Sequence, residues 1–219
     1  MKKYLIPVFV ALFAFSCDGT EQKGEVGATP ETPAEVLELL LDGNKRYMSE
    51  SNAHPNLGMQ RLGQTAPHQE PFAAVVGCSD SRVPVELLFD RGVGDIFVIR
   101  TAGNNVGGDM VMGSVEYAVG HLGVQVLLVL GHESCGGVTS AVTGGEHAGS
   151  VGNLIHCIQQ DIPEYVGVAD QIDEAIAKHT AVQVEEVLSN SLVAQKVKEG
   201  KLLVKGAHYD VNSGEVKIY

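Results

Sequence analysis

Residues 124–137 read VQVLLVLGHESCGG, and the order of residue types in this stretch decides the fold. The apolar run 124–130 shows no lasting alternation, which is the pattern of a strand buried on both faces, as in a parallel sheet. It passes directly into Gly131 and a cluster of chemistry-bearing side chains, His132, Glu133, Ser134 and Cys135. Upstream, Phe72–Val76 and Ile96–Ile99 are two more short β-rich runs, and the first also ends in a polar cluster, Cys78-Ser79-Asp80-Ser81-Arg82. Residues 83–89 and 110–122, between these runs, carry helical patterns. Strand and helix in alternation predict an α/β fold with a central, mostly parallel β-sheet flanked by helices.

Farther out, Thr32-Pro33-Ala34-Glu35 carries a helix-start signal: an N-cap Thr, Pro at the first helical position, and Glu three residues after the cap. A helix over 34–49 follows, with Val36, Leu37, Leu40, Leu41 and Tyr47 on an apolar stripe and Gly43 as a weak point. This is the N-terminal helical arm. Helical signals dominate 151–200, and 202–211 with 215–219 read as a C-terminal β-hairpin across Asn212-Ser213-Gly214. At 219 residues, the chain is expected to hold one folded domain, residues 32–219.

Ahead of that domain, Lys2-Lys3 and the apolar run Tyr4–Phe15 resemble a signal peptide, residues 1–16, too short to span a bilayer. Cys17 then stands where a bacterial lipoprotein carries its lipidated cysteine, although Phe15 is bulkier than the small residue usual two places before it. An ordinary cleaved signal is the alternative. Residues 17–31 read as the lipidation cysteine and a flexible tether. The expected location is therefore outside the cytoplasm, periplasmic and lipid-anchored to the cell envelope, with membrane contact only through Cys17.

The balance of 15 Lys+Arg against 27 Asp+Glu gives a net charge of −12, which argues against a nucleic-acid partner and suits a small neutral substrate better than a polyanion. Both polar clusters follow strands, at the sheet edge where open α/β folds place their ligand sites. If the strands are parallel neighbours, Cys78, His132 and Cys135 converge. Two thiolates and an imidazole suit tetrahedral zinc, and three protein ligands leave a fourth position open, which is the catalytic rather than the structural arrangement. His156 or Cys157 as a fourth ligand is the alternative; the apolar neighbours Leu154, Ile155 and Ile158 instead suggest that Cys157 is a buried, inert thiol.

CSDSR after one strand and GHxxCGG after a later one resemble the paired signature motifs of the β-class carbonic anhydrases, and the likeness spans about residues 72–142 in strand order and motif spacing. The resemblance implies one zinc per chain on Cys78, His132 and Cys135, with Asp80 and Arg82 as a catalytic dyad beside it. Zinc-bound hydroxide would attack carbon dioxide to give bicarbonate, with Asp80 orienting the hydroxide and Arg82 holding Asp80 ionised. It also implies a homodimer or homotetramer in which the N-terminal helix reaches over a partner. Two other readings stay open: a zinc hydrolase of carbonyl sulfide or carbon disulfide, and a non-catalytic zinc- or bicarbonate-binding lipoprotein. Arg100–Asn104 is expected to wall the pocket, Gly136 and Gly137 to let a helix start close to the metal, and His121 and His156 to be core or interface residues.

Overall fold

The computed structural model describes residues 30–219; the leader, Cys17 and most of the tether lie outside the described residues. Five strands form one sheet in the order β2-β1-β3-β4-β5. They are β1 (Ala73–Cys78), β2 (Ile96–Thr101), β3 (Val126–His132), β4 (Leu203–Tyr209) and β5 (Val216–Ile218). The pairs β1–β2, β1–β3 and β3–β4 are parallel, and only β4–β5 is antiparallel. The expected hairpin is present, but its first arm does more than pair with β5: it is the fourth parallel strand and lies against β3.

The central strands are buried from end to end, and their side chains divide by the two-residue period between two cores. Val75, Val126, Leu128 and Leu130 face one apolar cluster, while Val76, Leu127 and Val129 face the other. A fully buried Leu or Val side chain contributes about 1.5–3 kcal/mol, so β1 and β3 anchor both layers. The helices cover the two faces: α1 (Pro33–Met48), α2 (Met59–Thr65), α3 (Val85–Leu88), α4 (Asp109–Glu116), α5 (Gly136–Thr143), α6 (Gly149–Asp161), α7 (Ile172–Ser189) and α8 (Ser191–Lys198). The pattern read at 110–122 divides into α4 and a π-helical turn over Tyr117–Leu122 that Gly123 ends in the left-handed region. The short helix α2 has no buried residue, so it left no apolar period to read in the sequence.

The start of α1 is as the sequence predicts. Thr32 accepts from the Glu35 amide at 3.3 Å, and the Glu35 carboxylate accepts from the Thr32 amide at 3.0 Å. Its apolar stripe, however, packs on this chain: Val36 and Leu40 belong to the core. Asn44 is buried as well, donating to the carbonyls of Leu88 and Gly214 and accepting from the Val216 amide. Gly43 is a requirement of this packing and not a weak point, since a Cβ there would collide with the carbonyl oxygen of Phe89.

Candidate metal centre

The two polar clusters lie side by side because β1 and β3 are paired in parallel, with Gly77 opposite Leu130. Cys78 and His132 are the last residues of their strands, and Cys135 is the N-cap of α5. Among the described residues, Cys78, His132 and Cys135 form the one group of candidate ligand atoms close enough to share an ion, all within 4.8 Å of one another and all buried. The two sulfurs are 4.0 Å apart.

The hydrogen bonding of His132 prepares it for a metal. Its Nδ1 is 2.9 Å from the Glu133 carbonyl, which can only accept, so Nδ1 carries the proton and Nε2 keeps its lone pair. Nε2 is buried and has no hydrogen-bond partner. A buried polar atom without a partner costs stability unless something else satisfies it. Two adjacent buried sulfurs and a free imidazole lone pair fit zinc in donor type and number.

The thiols titrate as a pair. The Cys135 thiol beside it holds Cys78 far below the usual thiol range, assisted by His132 and by the amides of Asp80 and Gly103, each 3.4 Å from the sulfur. The same contact, together with burial, pushes Cys135 up. Two buried anions at this spacing cannot both ionise without a cation between them.

Beside these ligand atoms, Asp80 lies in the grip of Arg82, whose Nε donates to Oδ1 at 3.0 Å and Nη2 to Oδ2 at 2.7 Å. The Arg82 guanidinium holds the Asp80 carboxyl far below the ordinary carboxylate range, and the Arg82 amide, 2.9 Å from Oδ1, adds to the effect. Asp80 is thus fixed as an anion with Oδ2 4.0 Å from His132 Nε2. Arg82 also donates to the Ser134 carbonyl at 3.2 Å, tying the first motif to the second. Ser134 adopts φ of 54°, a left-handed turn that places Cys135 after His132.

Sequence reasoning gave Arg100–Asn104 only a wall's role, and the structure is more specific. Arg100 donates to the carbonyls of Cys78 (2.9 Å) and Asp80 (2.6 Å), fixing the backbone of the first motif. The signal for this is strand register, which pairs Gly77 with Arg100 and Cys78 with Thr101 and is invisible before the sheet is known. Gly137 sits where a Cβ would lie 3.3 Å from Ile158 and 3.5 Å from Gly103, so α5 does start close against the site.

The structure corrects the expected burial of Cys157 and excludes a core place, but not an interface one, for His121 and His156. Cys157 is exposed, not buried, because it falls on the outer face of α6 between the buried Ile155 and Ile158. His156, next to it, is exposed too, so neither reaches the Cys78 group as a fourth ligand. His121 is likewise exposed in this chain, edge-on to the Tyr117 ring at 5.0 Å. The buried histidine outside the ligand group is His179, which the sequence did not single out.

Comparison with known proteins agrees with this geometry. The sequence pattern of the carbonic anhydrase family matches residues 73–216. The chain is 36% identical to a carbonic anhydrase of Mycolicibacterium smegmatis, over 85% of this chain and 93% of that protein. It is 32% identical to carbonic anhydrase 2 of Mycobacterium tuberculosis, over 83% and 90%. Its fold resembles the Coccomyxa β-carbonic anhydrase solved with acetazolamide, at a TM-score of 0.68 and 28% identity, covering 83% of this chain and 85% of that one. It also resembles tetrameric β-carbonic anhydrases of Sordaria macrospora, at a TM-score of 0.66 and 24% identity, covering 84% and 96%. With two buried thiols, an unpartnered imidazole nitrogen and a clamped carboxylate at the carboxyl edge of a parallel sheet, the chain belongs to the β-carbonic anhydrase family, enzymes that interconvert carbon dioxide and bicarbonate.

Proposed function

We propose that this chain hydrates carbon dioxide reversibly to bicarbonate and a proton at a single zinc ion held by Cys78, His132 and Cys135. The observation that carries the proposal is the buried, unpartnered Nε2 of His132 beside two sulfurs 4.0 Å apart. Zinc bound there supplies a water acidified towards a pKa of about 7 and hence a nucleophile near neutral pH. Asp80, held as an anion beside the ligand atoms, would accept a hydrogen bond from a water held there and orient it towards the substrate carbon. Arg82 keeps Asp80 ionised, and by occupying both carboxylate oxygens it keeps Asp80 off the metal. Arg100 and the Gly103 amide hold the Cys78 segment still while the proton leaves to buffer.

Stopped-flow hydration of carbon dioxide by the purified residue 18–219 protein, with zinc content measured in parallel, tests this reading. Activity that follows one zinc per chain supports it. Bound zinc with no hydration from mildly acidic to alkaline pH overturns it, and the sulfur analogues carbonyl sulfide and carbon disulfide would be tried next.

We also infer a homodimer or homotetramer, lipid-anchored at Cys17 on the periplasmic side of the cell envelope. The first rests on the tetrameric Sordaria relatives and on exposed Met59, Leu87, Met110 and Tyr117. The second rests on the leader and Cys17. Among the described residues no helix is long and apolar enough to cross a membrane. Light scattering of the purified protein, and mass spectrometry of the mature N-terminus for a diacylglyceryl cysteine, decide these two points; a monomer or an unmodified cysteine would overturn them.

A further inference from the structure

The loop after β2 carries Gly103, whose amide donates to the Cys78 sulfur at 3.4 Å. The other side of that residue is held from a different layer of the molecule. His179, fully buried on α7, has Nε2 2.7 Å from the Gly103 carbonyl, so Nε2 is the donor. Its Nδ1 lies 3.1 Å from an Asp161 carboxylate oxygen at the end of α6, a close approach without a hydrogen bond. One turn farther along α7, Gln183 donates to the same Asp161 oxygen at 2.8 Å and accepts from the Val106 amide at 2.7 Å. The loop is thus held at both ends, at Gly103 and at Val106, by one face of α7. Gly103 has φ of 69°, and a Cβ there would lie 2.9 Å from Ile158, so the segment has no room to shift towards α6. The same helix leans on the second ligand strand, where a Cβ on Gly131 would collide with Thr180 Oγ1.

A buried polar network costs desolvation and is retained where its geometry is used. We propose that His179, with Gln183 beside it, is a positioning residue of the metal centre: by fixing Gly103 it aims a backbone N–H at Cys78 and thereby holds the direction of that sulfur. Neither residue touches the ligand atoms; both act through the loop. The proposal rests on the zinc reading of Cys78, His132 and Cys135.

The test compares wild type, His179→Ala, His179→Gln and Val187→Ala in full zinc-loaded and cobalt(II)-substituted protein. Glutamine retains an N–H that can reach the Gly103 carbonyl, whereas alanine has none. Val187 is buried on α7 in the opposite core and serves as the control for simple destabilisation. Expected for His179→Ala are zinc affinity lowered about tenfold or more in chelator competition and a shifted thiolate-to-cobalt charge-transfer band. His179→Gln should restore both in large part, and Val187→Ala should lower the melting temperature while leaving the band in place. A folded His179→Ala protein with unchanged affinity and band overturns the proposal, as does a band shift of equal size in Val187→Ala. If His179→Ala does not fold, Gln183→Met, which releases the Val106 amide and the bond to Asp161 but leaves the His179–Gly103 bond, takes its place, and an unmoved band and affinity there overturn the clamp. Failure of wild type to bind zinc would instead remove the reading of the site itself.

Discussion

Arg82 and Asp80 are joined by two parallel hydrogen bonds, Nε to Oδ1 at 3.0 Å and Nη2 to Oδ2 at 2.7 Å, although they stand only two positions apart in the chain. The Asx-type turn that closes through the Arg82 amide makes this reach possible, and the Ser134 carbonyl receives the same Nη2. The pair is partly open to solvent, so it is better understood as an orienting device than as a source of stability.

From this follows a split between metal binding and turnover. Asp80→Asn keeps the size of the side chain but loses its charge and one acceptor, and should lower kcat about 100-fold with zinc content unchanged. Arg82→Lys offers a point charge in place of a fork and should give a smaller fall. Stopped-flow rates beside zinc analysis check both; loss of zinc in Asp80→Asn would instead make Asp80 a ligand.

Zinc uptake should release about one thiol proton per ion. In the metal-free pair Cys78 is already held down by the neighbouring Cys135 thiol, while Cys135 is pushed up by the same contact and by burial. Of the two thiols, only Cys135 then has a proton to give up. Calorimetry in buffers of different ionisation enthalpy counts all protons released. At pH 8 the zinc-bound water, acidified towards a pKa of about 7, adds close to one to the thiol proton, so a total of about two is expected; about three, or about one, would contradict the coupled-thiol account. Below neutrality, zinc affinity should fall as protons compete for the ligands.

Gly43→Ala should destabilise the protein by about 1–3 kcal/mol, since its methyl group would meet the Phe89 carbonyl. This is the reverse of the gain expected from replacing glycine in an open helix. Urea unfolding measures the sign directly.

Asp90 gives a prediction in acid. Burial pushes its carboxyl up, but the Ala53 amide, Arg46 and the His54 amide outweigh burial, and the group ends below the ordinary carboxylate range. The contacts are 2.9 Å to the Ala53 amide, 2.6 Å to Arg46 Nε and 3.0 Å to the His54 amide. With its folded pKa depressed, Asp90 binds fewer protons in the native than in the unfolded state. Its stabilisation is therefore present above the unfolded value of about 4 and is lost as pH falls through the folded one. Asp90→Asn should cost about 1.5–3 kcal/mol at pH 7, and the gap from wild type should close as the pH is taken below 4 in urea titrations.

The grouping of Cys78, His132 and Cys135 and the layer architecture were legible in the sequence because both follow from local patterns. A strand buried on both faces must be apolar at every position, and a ligand placed at its end must follow that run directly, so 72–82 and 124–137 announced the sheet and Cys78, His132 and Cys135 together. The start of α1 was legible for the same reason, as Thr32, Pro33 and Glu35 bond within one turn. What only the tertiary structure decided were relations across long gaps in the chain. The register of β1 with β2 puts Arg100 on the backbone of Cys78 and Asp80. Gly43 is needed because Phe89 lies against it, and Cys157 is exposed because α6 turns its Ile155 and Ile158 face inward. The Asp161–His179–Gln183 network reaches Gly103 across 76 positions of sequence. No local period encodes such contacts, because they exist only once hydrophobic burial has packed α6 and α7 against the sheet.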